Sequence, residues 1–332
     1  MRTRTLFSSL LIIVLSVLAL VATRRPAYAQ NADVCYAVAD QTDGSSPLDA
    51  LVTLDRVTGV TTLVGFTGTR TIEAIALEPG GSGPLYASDG EQLGTLSLTT
   101  GAFTAKPETY GVAGGAQGEV ELDDVDGLTV DLATGILYGT HRQRGATKDL
   151  LFQINKATGA HVPNAFGAGI DYVVVDGPGL LSDLDDLAVS PTTGEMFVTS
   201  NDGGDGGVLA RVNKTTGAAT VIGEFGVDDI EALAYFNDGQ LYGSTGKNAP
   251  SATRNRLYRI NEATGAATLV APFSMYSDYE ALDCLTAPTS VSLRSVTVAI
   301  SPLRSTVETA VLVGIAVAGL LTLAALLRKM AA

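Results

Sequence analysis

Four stretches of the chain open on closely spaced carboxylates, and a fifth carries one. They read Asp124-Val125-Asp126, Asp183-Leu184-Asp185 (with Asp186 next), Asp229-Ile230-Glu231, Asp278-Tyr279-Glu280 and Thr71-Ile72-Glu73, where threonine takes the first place. Carboxylates brought close together repel, and they hold protons more tightly unless a cation or hydrogen bonds compensate. Their oxygens suit Ca²⁺, which accepts roughly 6–8 oxygen ligands in flexible geometry. The candidate ligand site is therefore Glu73, Asp124, Asp126, Asp183, Asp185, Asp229, Glu231, Asp278 and Glu280, with Asp126, Asp185, Glu231 and Glu280 as Ca²⁺ ligands. Paired acids also suit general acid–base attack on a sugar. The structural alternative is that each acid accepts backbone N–H bonds from a neighbouring unit and docks it.

The elements that must position these acids form a repeat. In 229–246 the acidic entry runs into a short apolar strand, an Asn237-Asp238-Gly239 turn and a second strand, LYGST. A third strand in each unit ends in Thr-Gly, at Gly59, Gly101, Gly159, Gly217 and Gly265, and a fourth follows, clearest at 60–64, 218–222 and 266–270. Thr-Gly between two β-type runs marks a tight hairpin, because glycine takes positive φ without a steric penalty. The markers Glu73, Asp126, Asp185, Glu231 and Glu280 are 53, 59, 46 and 49 residues apart. Four strands repeating every ~40–50 residues describe a β-propeller blade. The expected fold is all-β, a five-bladed β-propeller whose inner strands bring the acids to one mouth of the central channel. Insertions around 106–121 and 161–182 account for the long intervals, and a strand at 172–175 leaves a sixth blade as the lesser alternative.

The two ends of the repeat complete one another. The first unit lacks an inner strand and begins at Val34-Cys35-Tyr36-Ala37, whereas the last is an orphan inner strand over 278–284. Alignment of the repeats places Cys284 where Tyr235 stands and Cys35 where Leu241 stands, on neighbouring antiparallel strands. A Cys35–Cys284 disulfide is expected, since the compartment is oxidising.

Export follows from residues 1–29, where Arg2 and Arg4 precede an apolar run and Ala27-Tyr28-Ala29 forms a cleavage site. The propeller occupies 30–284 and a Ser/Thr/Pro-punctuated stalk 285–308. A transmembrane helix with a short basic cytoplasmic tail is expected over 309–329, since 310–327 carry no charge and Arg328-Lys329 follow. Residues 30–300 hold 34 acidic and 14 basic side chains, net −20. Such a surface draws cations and excludes nucleic acid, whose binding requires a basic face. His141 and His161 are too few for a zinc site and are expected at the surface. The Gly/Asp run 201–207 reads as a flexible loop, and the sequon Asn213-Lys214-Thr215 as a chance match beside a turn.

The inner strands, Asp229–Ala234 most closely and Asp278–Leu282 next, resemble the D-x-E-G/A-[IL]-A pattern of secreted phytase-like and esterase-like β-propellers. The resemblance implies the propeller architecture and a calcium ion. It does not carry phosphatase activity, because no basic phosphate-binding cluster matches that family. The leading expectation is a cell-surface binding or scaffold module for an extracellular protein, glycan or small molecule, Ca²⁺-stabilised at its channel. The rival is a metal-dependent extracellular hydrolase, phytase-like or glycoside-directed, using the channel-mouth carboxylates.

Overall fold

Short apolar runs bounded by Asn, Asp, Thr and Gly fold as strands throughout the computed structural model, which describes residues 34–40, 48–78, 83–143, 148–180, 183–201 and 206–284. All of these belong to the first of two compact units, 1–289 and 290–332. The signal peptide, stalk and anchor expected at 1–29, 285–308 and 309–329 lie outside the described residues. Among the described residues, no helix is long and apolar enough to cross a membrane.

In chain order the strands are β1 (Cys35–Ala39), β2 (Ala50–Leu54), β3 (Thr61–Phe66), β4 (Ala74–Leu77), β5 (Leu85–Ser88), β6 (Leu93–Leu96), β7 (Phe103–Ala105), β8 (Val112–Gly115), β9 (Gly118–Glu121), β10 (Gly127–Val130) and β11 (Leu137–His141). They continue as β12 (Leu150–Ile154), β13 (Tyr172–Val174), β14 (Leu187–Val189), β15 (Met196–Ser200), β16 (Val208–Val212), β17 (Ala219–Glu224), β18 (Ile230–Tyr235), β19 (Leu241–Thr245), β20 (Arg256–Ile260), β21 (Ala267–Pro272) and β22 (Tyr279–Cys284). Five four-stranded antiparallel sheets result: β22-β1-β2-β3 (blade 1), β4–β7 (blade 2), β10–β13 (blade 3), β14–β17 (blade 4) and β18–β21 (blade 5). This is a five-bladed β-propeller. Tyr172–Val174 pairs with β12 as the outermost strand of blade 3, so the segment belongs to an existing blade and not to a sixth. The insertion at 106–121 is the β8–β9 hairpin, whose Gln117 N–H donates to the Tyr172 hydroxyl at 2.9 Å.

Each blade buries both faces of its three inner strands, which read as apolar runs, while outer strands such as β3 and β21 carry exposed residues. On β1, Tyr36 and Val38 pack against blade 2, while Cys35, Ala37 and Ala39 pack against blade 5. Five apolar clusters fill the five gaps between blades. Each fully buried Leu, Ile or Phe in them contributes about 1.5–3 kcal/mol. Strand β22 closes the ring on β1 with Cys35 directly opposite Cys284, and the two are disulfide-bonded at a Cα separation of 4.0 Å.

The Thr-Gly turns do more than reverse the chain. In blade 4 the Asn213 side chain accepts bonds from the backbone of Thr215 (2.9 Å) and Thr216 (3.1 Å), which uses the sequon asparagine as a turn cap. Gly217 then takes φ 74°, and a Cβ there would overlap the carbonyl of Val174 on blade 3. Corresponding glycines abut the preceding blade in the same way, Gly265 against Gly223 for example. Next to these turns Lys214 reaches Asp131 of blade 3 at 2.7 Å, and Lys156 reaches Glu78 of blade 2 at 2.8 Å. Gly217→Ala is expected to cost upwards of about 1–2 kcal/mol from the left-handed backbone alone, plus the overlap. A thermal melt should fall by several degrees, and an unchanged Tm would refute this account of the turn.

Candidate metal centre at the channel mouth

The second acid of each repeat stands where an inner strand begins. Glu73, Asp126 and Asp185 precede or enter their strands, whereas Glu231 and Glu280 are each skipped in the pairing register of β18 and β22. Such a bulge re-aims a side chain at a sheet's end. All five second acids line one cavity of about 300 Å³, together with Asp183, Asp229, Arg142, Asn201, Lys247 and Asn248.

The first acids have a different local role. Asp229 and Asp278 both adopt φ 63°, a left-handed conformation that Asp tolerates better than most side chains. Asp229 accepts the Ala249 N–H at 2.9 Å, and the fully buried Asp278 accepts the Lys247 N–H at 2.7 Å. These bonds fasten the loop that follows β19. Asp183 is ion-paired with Arg142 of the preceding blade. Asp124 accepts the Arg142 N–H through its carbonyl at 2.8 Å, and its own N–H donates to His141 Nδ1 at 3.3 Å.

Burial and mutual repulsion dominate the electrostatics of the mouth. The carboxyls of Asp126, Asp185 and Glu280 are pushed well above the usual carboxylate range, first by burial and then by neighbouring acids; Glu73 acts on Asp126, Asp183 on Asp185 and Asp278 on Glu280. Glu231 is raised for the same reasons, with Asp229 its strongest neighbour. At neutral pH such a ring holds either protons or a cation.

Among the described residues, two groups of three carboxylates converge so that one oxygen from each lies within 4.8 Å of the others: Glu73, Asp124 and Asp126, and Asp40, Asp278 and Glu280. That spacing matches ligands around an ion bound at about 2.4 Å. Asp126 provides the test of fit. It is 7 % exposed, and both of its carboxylate oxygens are buried without a hydrogen-bond donor. Arg142 Nη1 stands 3.8 Å away. An orphaned buried carboxylate facing two others is a donor set suited to a hard cation. Of the four acids expected to ligate Ca²⁺, Asp126 and Glu280 belong to these two groups, one in each. Asp185 and Glu231 belong to neither; the Asn201 amide bonds Asp185 instead.

Several residues important to the mouth were missed by sequence reasoning. Asp40, Arg142, Asn201 and Lys247 each follow the second strand of a blade, in CYAVAD, LYGTHR, MFVTSN and LYGSTGK. Asp40, Arg142 and Asn201 stand five positions after the first residue of that strand and Lys247 six, and this near-common place is the signal that was available. Inter-blade docking through acids is also present, on Asp278, which accepts the Lys247 N–H of blade 5, on Asp186, and on acids outside the repeated stretches. Asp49 accepts the Ile72 N–H (2.7 Å), Asp149 that of Leu184 (2.8 Å), Asp186 that of Leu233 (2.7 Å) and Asp283 that of Leu77 (2.7 Å). His141 is not at the surface; it ends β11, the second strand of blade 3, and is 3 % exposed, with Nδ1 accepting the Asp124 N–H. His161 is half-buried, with Nδ1 2.7 Å from the Tyr110 carbonyl.

No family model and no curated protein matches this sequence. Among solved structures the chain is similar to a chain of the nidogen/laminin complex, at 10% identity and a TM-score of 0.45, covering 76% of this chain and 98% of that one. It is also similar to a candidate 6-phosphogluconolactonase of Bacteroides fragilis, at 10% identity and a TM-score of 0.41, covering 76% and 98%. A third similar structure is TolB of Acinetobacter baumannii, at 12% identity and a TM-score of 0.41, covering 76% of this chain and 54% of that one.

Proposed function

We propose that this chain is an exported five-bladed propeller, anchored through 309–329, that works as a cell-surface binding or scaffold module and carries a Ca²⁺ ion at its channel mouth. Glu73, Asp124 and Asp126 hold the ion. The observation behind this reading is the Asp126 carboxylate, buried with two undonated oxygens beside two further acids. A bound cation supplies the positive charge that lets these groups ionise together, and it ties blade 2 to the adjacent blade 3. Its work in this reading is structural: it fixes the mouth that faces a ligand. The strong net negative charge of 30–300 favours cationic or neutral ligands over anionic ones.

The test is thermal denaturation of the full-length chain across micromolar to millimolar Ca²⁺ and in EGTA. An ion at about a hundred times its Kd adds roughly 2.7 kcal/mol, which for a domain of this size raises Tm by about 5–10 °C. Asp126→Asn should abolish the shift. A wild-type Tm indifferent to Ca²⁺ would remove the ion from the proposal.

A further inference from the structure

Both acidic triads have a basic neighbour, but they are not in the same condition: Arg142 Nη1 stands 3.8 Å from Asp126 and bonds Asp183 instead, so both Asp126 oxygens are left without a donor. Around Asp40, Asp278 and Glu280 the ammonium of Lys247 already stands, with Nζ 2.5 Å from Asp278, 3.7 Å from Glu280 and 3.8 Å from Asp40. One positive charge is thus shared by three carboxylates. Its position is fixed from two sides, because the Lys247 N–H also donates to Asp278 at 2.7 Å. Asp278 is fully buried and its backbone is left-handed, so the contact is built into the loop and is not a chance surface pair. The Asp278 carboxylate, buried this deeply, is tolerated because it is paired and hydrogen-bonded, whereas the Lys247 side chain is itself half exposed.

The repeat shows how special that lysine is. Lys247 lies six positions after Leu241, the first residue of β19, in blade 5, and it reaches the inner strand of the next blade. Six positions after Leu85, the first residue of β5 in blade 2, stands Glu91. The blade facing Asp124 and Asp126 therefore carries a carboxylate at the register where blade 5 carries an ammonium.

We infer that Lys247 is a built-in counter-cation that fills the Asp40–Asp278–Glu280 triad in place of a metal ion, so that the chain takes a divalent cation at Glu73–Asp124–Asp126 alone. Lys247 decides the ion count of the mouth. This inference rests on the Ca²⁺ reading of the Glu73 triad for its stoichiometry in the wild type, but not for the role of the lysine. The tethered ammonium neutralises one side of the ring at every Ca²⁺ concentration, while the other side responds to the ion.

Equilibrium dialysis of the full-length chain against Ca²⁺, paired with thermal melts, tests it. The expected counts are one ion for wild type, two for Lys247→Met, none for Asp126→Asn and one for the double variant. Lys247→Met should melt below wild type in EGTA and regain most of the loss in millimolar Ca²⁺, whereas Lys247→Arg should keep the wild-type count. Lys247→Gln serves as a milder second variant with the same expected gain of one ion. A count of one in both Lys247→Met and Lys247→Gln, with no Ca²⁺ rescue of their melts, overturns the inference while leaving the calcium reading intact. A wild type that binds two ions does the same. A wild type that binds none, with Lys247→Met binding one, upholds the lysine's role and removes the calcium reading.

Discussion

Replacing Cys35 and Cys284 together by serine is expected to cost about 5 kcal/mol, lowering Tm by roughly 10–20 °C. The bond joins residues 249 apart in sequence, nearly the whole propeller, so breaking it frees a very large denatured-state loop. It also sits where the ring closes, between β22 and β1, and without it that seam rests on strand pairing and the apolar cluster between blades 5 and 1. Both sulfurs are buried, at 0% and 2% exposure, so a reductant should act slowly on the native chain and quickly once the seam opens. Thermal melts with and without reductant check the magnitude. Hydrogen exchange should show β1 and β22 losing protection first in the serine variant. A double variant that melts within a degree or two of wild type would refute the role given to the seam.

Stripped of divalent ions, the chain should lose stability as pH rises, the reverse of ordinary acid denaturation. Unfolded carboxylates titrate near about 4. Asp49 and Asp283 are raised to about 7 and Asp149 to about 6, in each case chiefly by burial against the pull of backbone N–H donors. The ring acids Asp126, Asp185, Glu231 and Glu280 are raised as well. Between the unfolded and folded pKa of each group the native state binds more protons than the unfolded one, so its contribution is complete below about pH 4 and is lost as pH climbs through the folded value. Asp49, Asp149 and Asp283 place the first stage between about pH 4 and 7, and the ring acids extend it upward. The expected loss is on the order of 1–4 kcal/mol per group, enough to lower Tm in EGTA by several degrees. Ca²⁺ competes with those protons, so its stabilising effect should grow across the same range. A Tm in EGTA that stays flat or rises from about pH 5 to 8 would show that the ring is neither buried nor crowded as described.

The blades were legible in the sequence because each must bury two faces and reverse the chain three times. Those needs leave marks on particular residues, the Thr-Gly of each third strand and the apolar LYGST-type second strand among them. Closure was legible too: the register that opposes Tyr235 to Leu241 also opposes Cys284 to Cys35. The site was less so. Asp229 and Glu231 look alike as letters, yet one answers to a left-handed backbone and the other to a bulge. Nothing local in LYGSTGK says that Lys247 crosses to the next blade, since that contact depends on ring curvature. The docking acids were sought in the repeated motif, where Asp186 and Asp278 do serve, whereas Asp49, Asp149 and Asp283 sit at positions where few other repeats carry an acid. His141 was expected in solvent and is instead walled in by its blade and neighbours.

The closing blade also sets a polarity for the whole disc. Strand β22 starts at the carboxylate mouth with Tyr279 and Glu280 and ends at Cys284, on the side where the Thr-Gly turns lie; β1 starts there as well, at Cys35. Chain therefore enters and leaves the propeller through one face, at adjacent points riveted by a single covalent bond. A pull between these two points is borne by that rivet and not by the blades in series.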